Sequence, residues 1–72
     1  MTWEEAREQA RIIFATVGGV DNPQPYANTS PTGRMKYIGY KDDRGHKHDM
    51  GQGLSWATAV REAKEAAKEA RL

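Results

Sequence analysis

The sequence has no cysteine, only one phenylalanine and a net charge of only +1 among its 72 residues. The absence of cysteine excludes a disulfide framework and a thiolate metal site, and it fits a reducing compartment. No apolar run approaches the about 20 residues of a membrane span, and the N-terminal stretch lacks the basic and apolar regions of a signal peptide. We therefore expect a cytoplasmic or nuclear protein with no membrane partner.

The small size and the small net charge also limit the function. A chain of this length is expected to form one domain, residues 1–72, and such a domain buries only about 60% of the surface of its unfolded chain. Proteins that grip phosphate backbones usually carry a visible positive excess, which a net charge of +1 does not supply. Any nucleic-acid role therefore requires a local basic patch.

A glycine-rich turn followed by an alanine-rich stretch predicts the C-terminal helix. Ser55 is a suitable N-cap, because its hydroxyl can accept a hydrogen bond from an amide of the first helical turn. The apolar residues after it recur at steps of three and four and form one stripe: Trp56, Ala59, Val60, Ala63, Ala66, Ala67 and Ala70. A stripe of alanines is narrow and flat, so we expect this helix to approach a β-sheet closely.

The N-terminal residues predict another helix, which begins at a capping box formed by Thr2 and Glu5. Its apolar stripe consists of Trp3, Ala6, Ala10, Ile13, Phe14 and Val17. Gly18 and Gly19 are predicted to end this helix, since glycine adopts the left-handed C-cap conformation without a steric penalty.

Three short strands are predicted between the helices. The first is an edge strand over residues 25–29, since proline is tolerated at strand edges, and a turn at residues 30–33 follows it. The second covers residues 34–41, where either a bulge lies near Gly39 or both faces carry aromatic residues. A hairpin turn at residues 42–45 leads into the third, over residues 46–50. The sequence therefore predicts an α+β fold of order α-β-β-β-α, in which two helices pack on one face of a three-stranded antiparallel sheet.

Gly51, Gly53 and Ser55, followed by Ala59 and Ala63, resemble the C-terminal third of a double-stranded RNA-binding domain (dsRBD). In that family the third strand leads through a Gly-x-Gly-x-Ser segment into an alanine-rich second helix. The resemblance spans nearly the whole chain and implies the same α-β-β-β-α order.

Two further segments extend the resemblance to the dsRBD family. Pro25 and Tyr26 resemble the proline and the aromatic residue that begin its first strand, and residues 31–34 occupy the place of its minor-groove loop. That loop normally contains a histidine, which this sequence lacks, so Arg34 is the nearest basic substitute.

The second helix departs from the family pattern at the residues that matter for RNA. RNA-binding members carry two lysines directly after the serine and a further basic residue four positions later, and these side chains grip phosphates. Here the corresponding residues are Trp56, Ala57 and Val60. Each neutralised phosphate contributes about 0.7 to 0.9 to the slope of log affinity against log salt concentration. Without these three contacts we expect weak or no binding to generic duplex RNA.

Other basic residues are candidates to replace that grip. On the second helix Arg61, Lys64, Lys68 and Arg71 share one flank. The candidate nucleic-acid contacts are Thr32, Gly33, Arg34, Lys36, Arg61, Lys64 and Lys68. Acidic residues are interspersed along the same stretches, which is the usual mixture of a soluble surface.

His46 and His48 are the only residues that invite a chemical interpretation. On a strand they point to the same side, and with Asp42 or Asp43 they are candidates for binding a divalent metal. A tetrahedral zinc site needs three or four converging ligands, so we expect two exposed histidines and no metal instead. Neither serine has a Ser-His-Asp context, and we expect the protein not to be an enzyme.

Three classes of function remain. We favour a non-catalytic module for protein association or dimerisation, in which Trp56 or Trp3 forms an apolar patch with Tyr37 and Tyr40. The first alternative is double-stranded RNA binding through a rearranged basic patch. The second is a DNA-binding accessory protein of viral or mobile-element origin, although the leading helix argues against it because phage-integrase arm-type domains place the sheet first. No cofactor and no small-molecule substrate are expected.

Overall fold

The computed structural model describes residues 1–70 and contains two helices and three strands. Their order is α1 (Trp3–Ile13), β1 (Gln24–Thr29), β2 (Lys36–Lys41), β3 (Lys47–Gly53) and α2 (Trp56–Glu69). The strands form one antiparallel sheet in the order β1-β2-β3, so β1 and β3 are its edges. Both helices pack on one face of the sheet, which confirms the predicted α+β fold. Neither α1 nor α2 has the length and hydrophobicity that a transmembrane helix requires.

The core lies between the helices and the sheet and consists mainly of small side chains. Phe14 and Ile38 are its largest fully buried residues. The other buried apolar residues are Ala6, Ala10, Val17, Ala27, Tyr40, Ala59, Val60, Ala63 and Ala67. Trp3, which the helical stripe predicts to be in the core, is 45% exposed instead, and its indole Nε1 donates to the Ala27 carbonyl oxygen at 2.9 Å. The ring therefore covers the edge of β1, where its N–H has a polar partner.

Both helices begin where the sequence predicts. The Glu5 amide donates to the Thr2 hydroxyl at 3.1 Å, and the Thr2 amide donates to the Glu5 carboxylate at 2.9 Å, which completes the capping box. The Thr58 amide donates to the Ser55 hydroxyl at 3.2 Å. These bonds satisfy amides that have no partner inside the helix, and they fix the first turn of each helix.

The end of α1 differs from the prediction. The helix ends at Ile13 rather than near Gly18, with Phe14 as its C-cap. The Phe14 side chain is fully buried and Val17 is buried beyond it, while a bridge between Val17 and Val20 closes a turn. Thr16 and Val17 are β-branched and therefore disfavour a helix. Burial of the Phe14 and Val17 side chains in the turn outweighs continuation of the helix along its apolar stripe.

The turn between β1 and β2 is longer than predicted. The Gly33 amide donates to the Ser30 carbonyl oxygen at 2.8 Å with Gly33 at φ +77°, which confirms the turn at residues 30–33. The Ser30 amide then donates to the Met35 carbonyl oxygen at 2.9 Å. Arg34 therefore lies in the turn, and β2 begins at Lys36 rather than at residue 34.

Of the two alternatives predicted for β2, aromatic residues on both faces is the correct one, because β2 pairs with β1 without a bulge. The sheet does contain a bulge opposite Gly39, but the extra residue is on β3. Ile38 pairs with Gly51 and Gly39 pairs with Asp49, which leaves Met50 without a partner. The bulge shifts the alternation of β3, and this strand continues to Gly53 rather than ending at residue 50.

Candidate interaction surfaces

The β1–β2 turn and the start of α2 meet at one end of the sheet through Lys36. Its Nζ donates to the Gly33 carbonyl oxygen at 2.6 Å and lies 5.6 Å from the centre of the Trp56 ring. Lys36 pairs with Gly53 at the end of β3, so the strand pairing itself brings the turn beside α2. We use the name turn-end surface for the region that comprises residues 31–34, Lys36, Leu54 and Trp56.

Apolar side chains occupy the part of the turn-end surface at the start of α2. Leu54 is 68% exposed, and Trp56 is half-buried against the core. Ala57 is exposed, whereas Val60 is buried. Residues 56, 57 and 60 therefore carry no charge, and Val60 faces the core. Trp56 folds towards the sheet, as its helical spacing predicts, but leaves part of its side chain at the surface.

The candidate basic residues of α2 lie on one flank of that helix. Arg61, Lys64 and Lys68 are all exposed, as is Arg34 in the β1–β2 turn. Within residues 1–70 the three α2 cations form no ion pair. Arg71, which the sequence places on the same flank, lies outside the described residues.

The opposite flank of α2 is acidic. Glu62, Glu65 and Glu69 face a groove beside the free edge of β3, where Asp49 and Gln52 complete the lining. The charges of α2 are therefore segregated into a basic flank and an acidic flank, which a net charge near zero conceals. A polyanion that approaches this helix is attracted on one side and repelled on the other.

Tyr37 and Tyr40 do not form one patch, because they point to opposite faces of the sheet. Side chains alternate along a strand, so residues three positions apart face opposite ways. Tyr40 is only 8% exposed, with its ring centre 5.3 Å from that of Phe14 and 4.8 Å from that of His48. Tyr40 therefore belongs to the core rather than to the predicted apolar patch with Trp56. Tyr37 is half-buried on the face away from the helices.

Asp42 organises the turn between β2 and β3. Its Oδ1 accepts hydrogen bonds from the amides of Arg44 at 2.9 Å and His46 at 2.8 Å, and its Oδ2 lies 2.9 Å from the His48 Nε2. The hydrogen bond from His48, followed by those from the backbone, lowers the pKa of Asp42 to about 2. The His48 ring also stacks on the buried Tyr40, so this carboxylate connects the turn to the core.

The two histidines meet one carboxylate rather than a metal-binding set. His46 Nδ1 is 4.0 Å from the Asp42 Oδ2, and its side chain is mostly exposed. Among residues 1–70, no group of three or more histidine, aspartate and glutamate side chains is arranged to hold a metal ion. The arrangement of Asp42 with His46 and His48 accounts for the shape of the turn without a metal.

The face of the sheet opposite the helices carries a cluster that sequence analysis missed. Tyr26, Gly39 and Asp49 pair across the three strands, and the Tyr26 hydroxyl donates to the Asp49 Oδ1. The Tyr26 ring therefore extends over Gly39, where an added Cβ would lie 2.9 Å from the Tyr26 hydroxyl oxygen. Burial, followed by the bond to Asp49, raises the pKa of Tyr26 above its usual value. The available signal was Gly39 itself, since a glycine inside a strand indicates close approach of another group.

Comparisons of the sequence with protein-family models and with characterised proteins, and of the structure with solved structures, find no significant match. Two candidate surfaces lie on opposite sides of the sheet: the turn-end surface beside the helices and the open face around Tyr26.

Proposed function

We propose that the chain is a non-catalytic module for protein association on a scaffold that resembles the dsRBD, with weak or no binding to generic duplex RNA. The observation that carries this proposal is the presence of two large apolar residues in the turn-end surface, Leu54, which is 68% exposed, and Trp56, which is half-buried. The resembled family places lysines along the start of this helix. Residues 56, 57 and 60 provide no cation for a phosphate backbone. Leu54 and Trp56 instead provide apolar surface for a partner, and tryptophan is enriched at binding hot spots.

The partner that fits the turn-end surface best is a second copy of the chain. The Lys36 ammonium is bonded to the Gly33 carbonyl oxygen and lies near the Trp56 ring, so it already has partners within the chain. Contact between two copies at a two-fold axis requires a self-complementary patch. An apolar centre with a polar rim meets that requirement, because Leu54 and Trp56 of one copy can pack on the same residues of the other.

Sedimentation equilibrium over a wide concentration range tests this association. We expect the unmodified chain to dimerise and the Leu54→Asp variant to remain monomeric at the same concentrations. Ile12→Asp is the matched control, since Ile12 is 62% exposed on α1, and we expect this variant to dimerise normally. A chain that stays monomeric at millimolar concentration, or that loses the dimer equally in both variants, contradicts the proposal.

Titration with an RNA duplex of about 16 base pairs, the span that dsRBDs cover, tests the expected weakness of RNA binding. The titration is carried out at low salt and at near-physiological salt. We expect any affinity at low salt to disappear at the higher salt, because few phosphates are neutralised by fixed cations. Sub-micromolar affinity that persists at the higher salt contradicts the expectation.

Duplex RNA binding through the basic flank of α2 is the second candidate function. Arg61, Lys64 and Lys68 are exposed and form no ion pair within the described residues, so they are available to phosphates. In this case charge reversal at Arg34 or Lys64 reduces duplex affinity more than reversal at Arg7, whose guanidinium lies over the Trp3 ring on α1. Equal effects at all three positions exclude a defined site on this flank.

A further inference from the structure

The open face of the sheet, opposite the helices, presents three rows of side chains. Strand pairing defines these rows as Asn28, Tyr37 and Gln52; Tyr26, Gly39 and Asp49; and Gln24, Lys41 and Lys47. No aliphatic residue is among them, and the apolar surface comes mainly from the two tyrosine rings. Aromatic rings that stand among polar and cationic side chains suit a ligand with flat aromatic faces and polar edges.

The Tyr26 ring is held in a fixed orientation on this face. It starts on β1, crosses the central strand above Gly39 and donates its hydroxyl to Asp49 on β3. A side chain that spans three strands in this way lies along the sheet rather than standing upright, and the Tyr26 ring is half-buried on this face. The absence of a Cβ at Gly39 leaves the room that this orientation requires.

Tyr37 provides a second ring beside the first. It pairs with Asn28, two residues from Tyr26 along β1, so the two tyrosines are diagonal neighbours. Side chains in this relation lie roughly 7 to 8 Å apart, and aromatic residues at this distance can both contact one extended ligand. A groove that Tyr37, Lys47 and Asp49 help to line continues along the same face.

Positive charge lies at one end of this face. Lys41 and Lys47 pair with each other across β2 and β3, and Arg44 is exposed in the turn that joins these strands. The one carboxylate in the three rows, that of Asp49, accepts the Tyr26 hydroxyl. The Lys47 Nζ lies over the Tyr26 ring, 5.9 Å from its centre, so a base that stacks on this face displaces the ammonium.

We propose that the open face binds single-stranded nucleic acid, with bases stacking on Tyr26 and Tyr37 and phosphates contacting Lys41 and Lys47. Aromatic rings beside a cationic groove are the usual elements of such binding, and stacking tolerates any base sequence. This inference is independent of the association proposed above, because Leu54 and Trp56 lie at the end of the sheet on the side of the helices.

Fluorescence anisotropy with labelled oligothymidylate and oligouridylate of about 10 nucleotides tests the proposal. We expect binding at low salt that weakens as salt is added, and a loss of about tenfold or more in Tyr37→Ala, since each stacked base contributes substantially. Tyr37→Phe keeps the ring and should keep the affinity. Arg7→Glu, on α1 at the helix side of the molecule, is the charge control and should change the affinity by less than about threefold.

Circular dichroism of each variant establishes that the fold is retained before affinities are compared. The proposal is overturned if the folded wild-type chain binds neither oligonucleotide at low salt. It is also overturned if Tyr37→Ala binds as well as the wild-type chain, or if Arg7→Glu removes the binding. Loss of self-association in Tyr37→Ala, without any oligonucleotide binding by the wild-type chain, would assign this face to a protein partner instead.

Discussion

Gly51 of β3 lies directly beneath Ala63 of α2. A Cβ added to Gly51 would lie 2.9 Å from the Ala63 Cα and closer still to the backbone of Ala59. Strand and helix therefore approach each other through their main chains, and Ala59 and Ala63 are both fully buried at this contact. The alanine stripe of α2 and the glycine of β3 are two parts of one packing arrangement, in which neither side has room for a larger side chain.

Gly51→Ala should therefore be strongly destabilising. The added methyl group meets backbone atoms that cannot rotate away, so we expect a loss of about 3 kcal/mol in the free energy of unfolding, at the upper end of typical overpacking costs. Chemical denaturation measures the loss. Gly18→Ala is the matched control, since nothing lies within 4 Å of an added Cβ there, and we expect a change below about 1 kcal/mol. Similar small changes at both positions would contradict this account of the packing.

The starts of the helices could be predicted from the sequence because they depend on neighbours along the chain. Thr2 and Ser55 each accept a hydrogen bond from an amide three residues away, so the residue types alone identify the caps. The end of α1 could not be predicted in the same way. It depends on the burial of Phe14 and Val17 against elements that come later in the sequence, and the helical stripe continues through both residues.

The candidate surfaces also divide into those set by neighbours along the chain and those set by contacts between distant residues. The spacing of Arg61, Lys64 and Lys68 is sufficient to place them on one flank of a helix. In contrast, Tyr26 and Asp49 are 23 residues apart, and only the strand register brings them together. That register includes a bulge at Met50, which shifts the facing of β3 by one residue relative to a regular strand. The sequence does not show where the bulge lies, and a shift of one residue would move Asp49 to the other face of the sheet. The contact between Tyr26 and Asp49 could therefore not be predicted from the sequence.

Trp56→Lys tests whether this position serves the fold or a phosphate contact. We expect a loss of about 2 kcal/mol, below the about 3 to 5 kcal/mol of a fully buried aromatic residue, because part of the Trp56 side chain is already exposed. The new ammonium would also lie near that of Lys36. We expect no gain in affinity for the RNA duplex.

Ala57→Lys is the control for Trp56→Lys, since Ala57 is exposed and the substitution adds the same charge without removing a ring. Its thermal midpoint should stay close to that of the wild-type chain. A Trp56→Lys variant that keeps its midpoint and gains duplex affinity would show that residue 56 belongs to a nucleic-acid site.

Asp42 should make the stability of the β2–β3 turn depend on pH in the acid range. The pKa of an aspartate in the unfolded chain is about 3.9, whereas hydrogen bonds lower that of Asp42 to about 2 in the folded chain. Because the folded value is the lower one, the stabilisation is fully present above about pH 4 and is lost as the pH falls towards about 2. Thermal unfolding followed by circular dichroism across this range should show a falling midpoint.

Asp42→Asn should reduce this acid dependence, and Asp43→Asn should leave it unchanged because Asp43 is an exposed neighbour in the same turn. A residual dependence is expected from Glu5, whose pKa is lowered by hydrogen bonds within the capping box with Thr2. Equal acid sensitivity in the wild-type chain and in Asp42→Asn would show that the bonds to His46, His48 and Arg44 do not stabilise the turn.

Tyr26 should resist ionisation at alkaline pH. Burial and the Asp49 carboxylate raise its pKa above the value of about 10 that tyrosine has in an unfolded chain. The stabilisation is therefore present below about pH 10 and is lost as the pH rises beyond it, because the unfolded chain ionises first. In an absorbance titration of tyrosinate we expect a step that is delayed relative to an ordinary tyrosine and is missing in Tyr26→Phe.

Asp49→Asn distinguishes the two causes of this delay. Removal of the carboxylate should move the delayed step to lower pH without returning it to about 10, because burial, the larger cause, remains. Asp43→Asn removes a carboxylate in the β2–β3 turn and should leave the step in place. Suppose that the wild-type chain and Tyr26→Phe show tyrosinate steps at the same pH values that differ only in amplitude. In that case the Tyr26 hydroxyl is not held by Asp49. The ring then has no fixed orientation across Gly39, and the open face loses the rigid stacking surface on which single-stranded nucleic-acid binding depends.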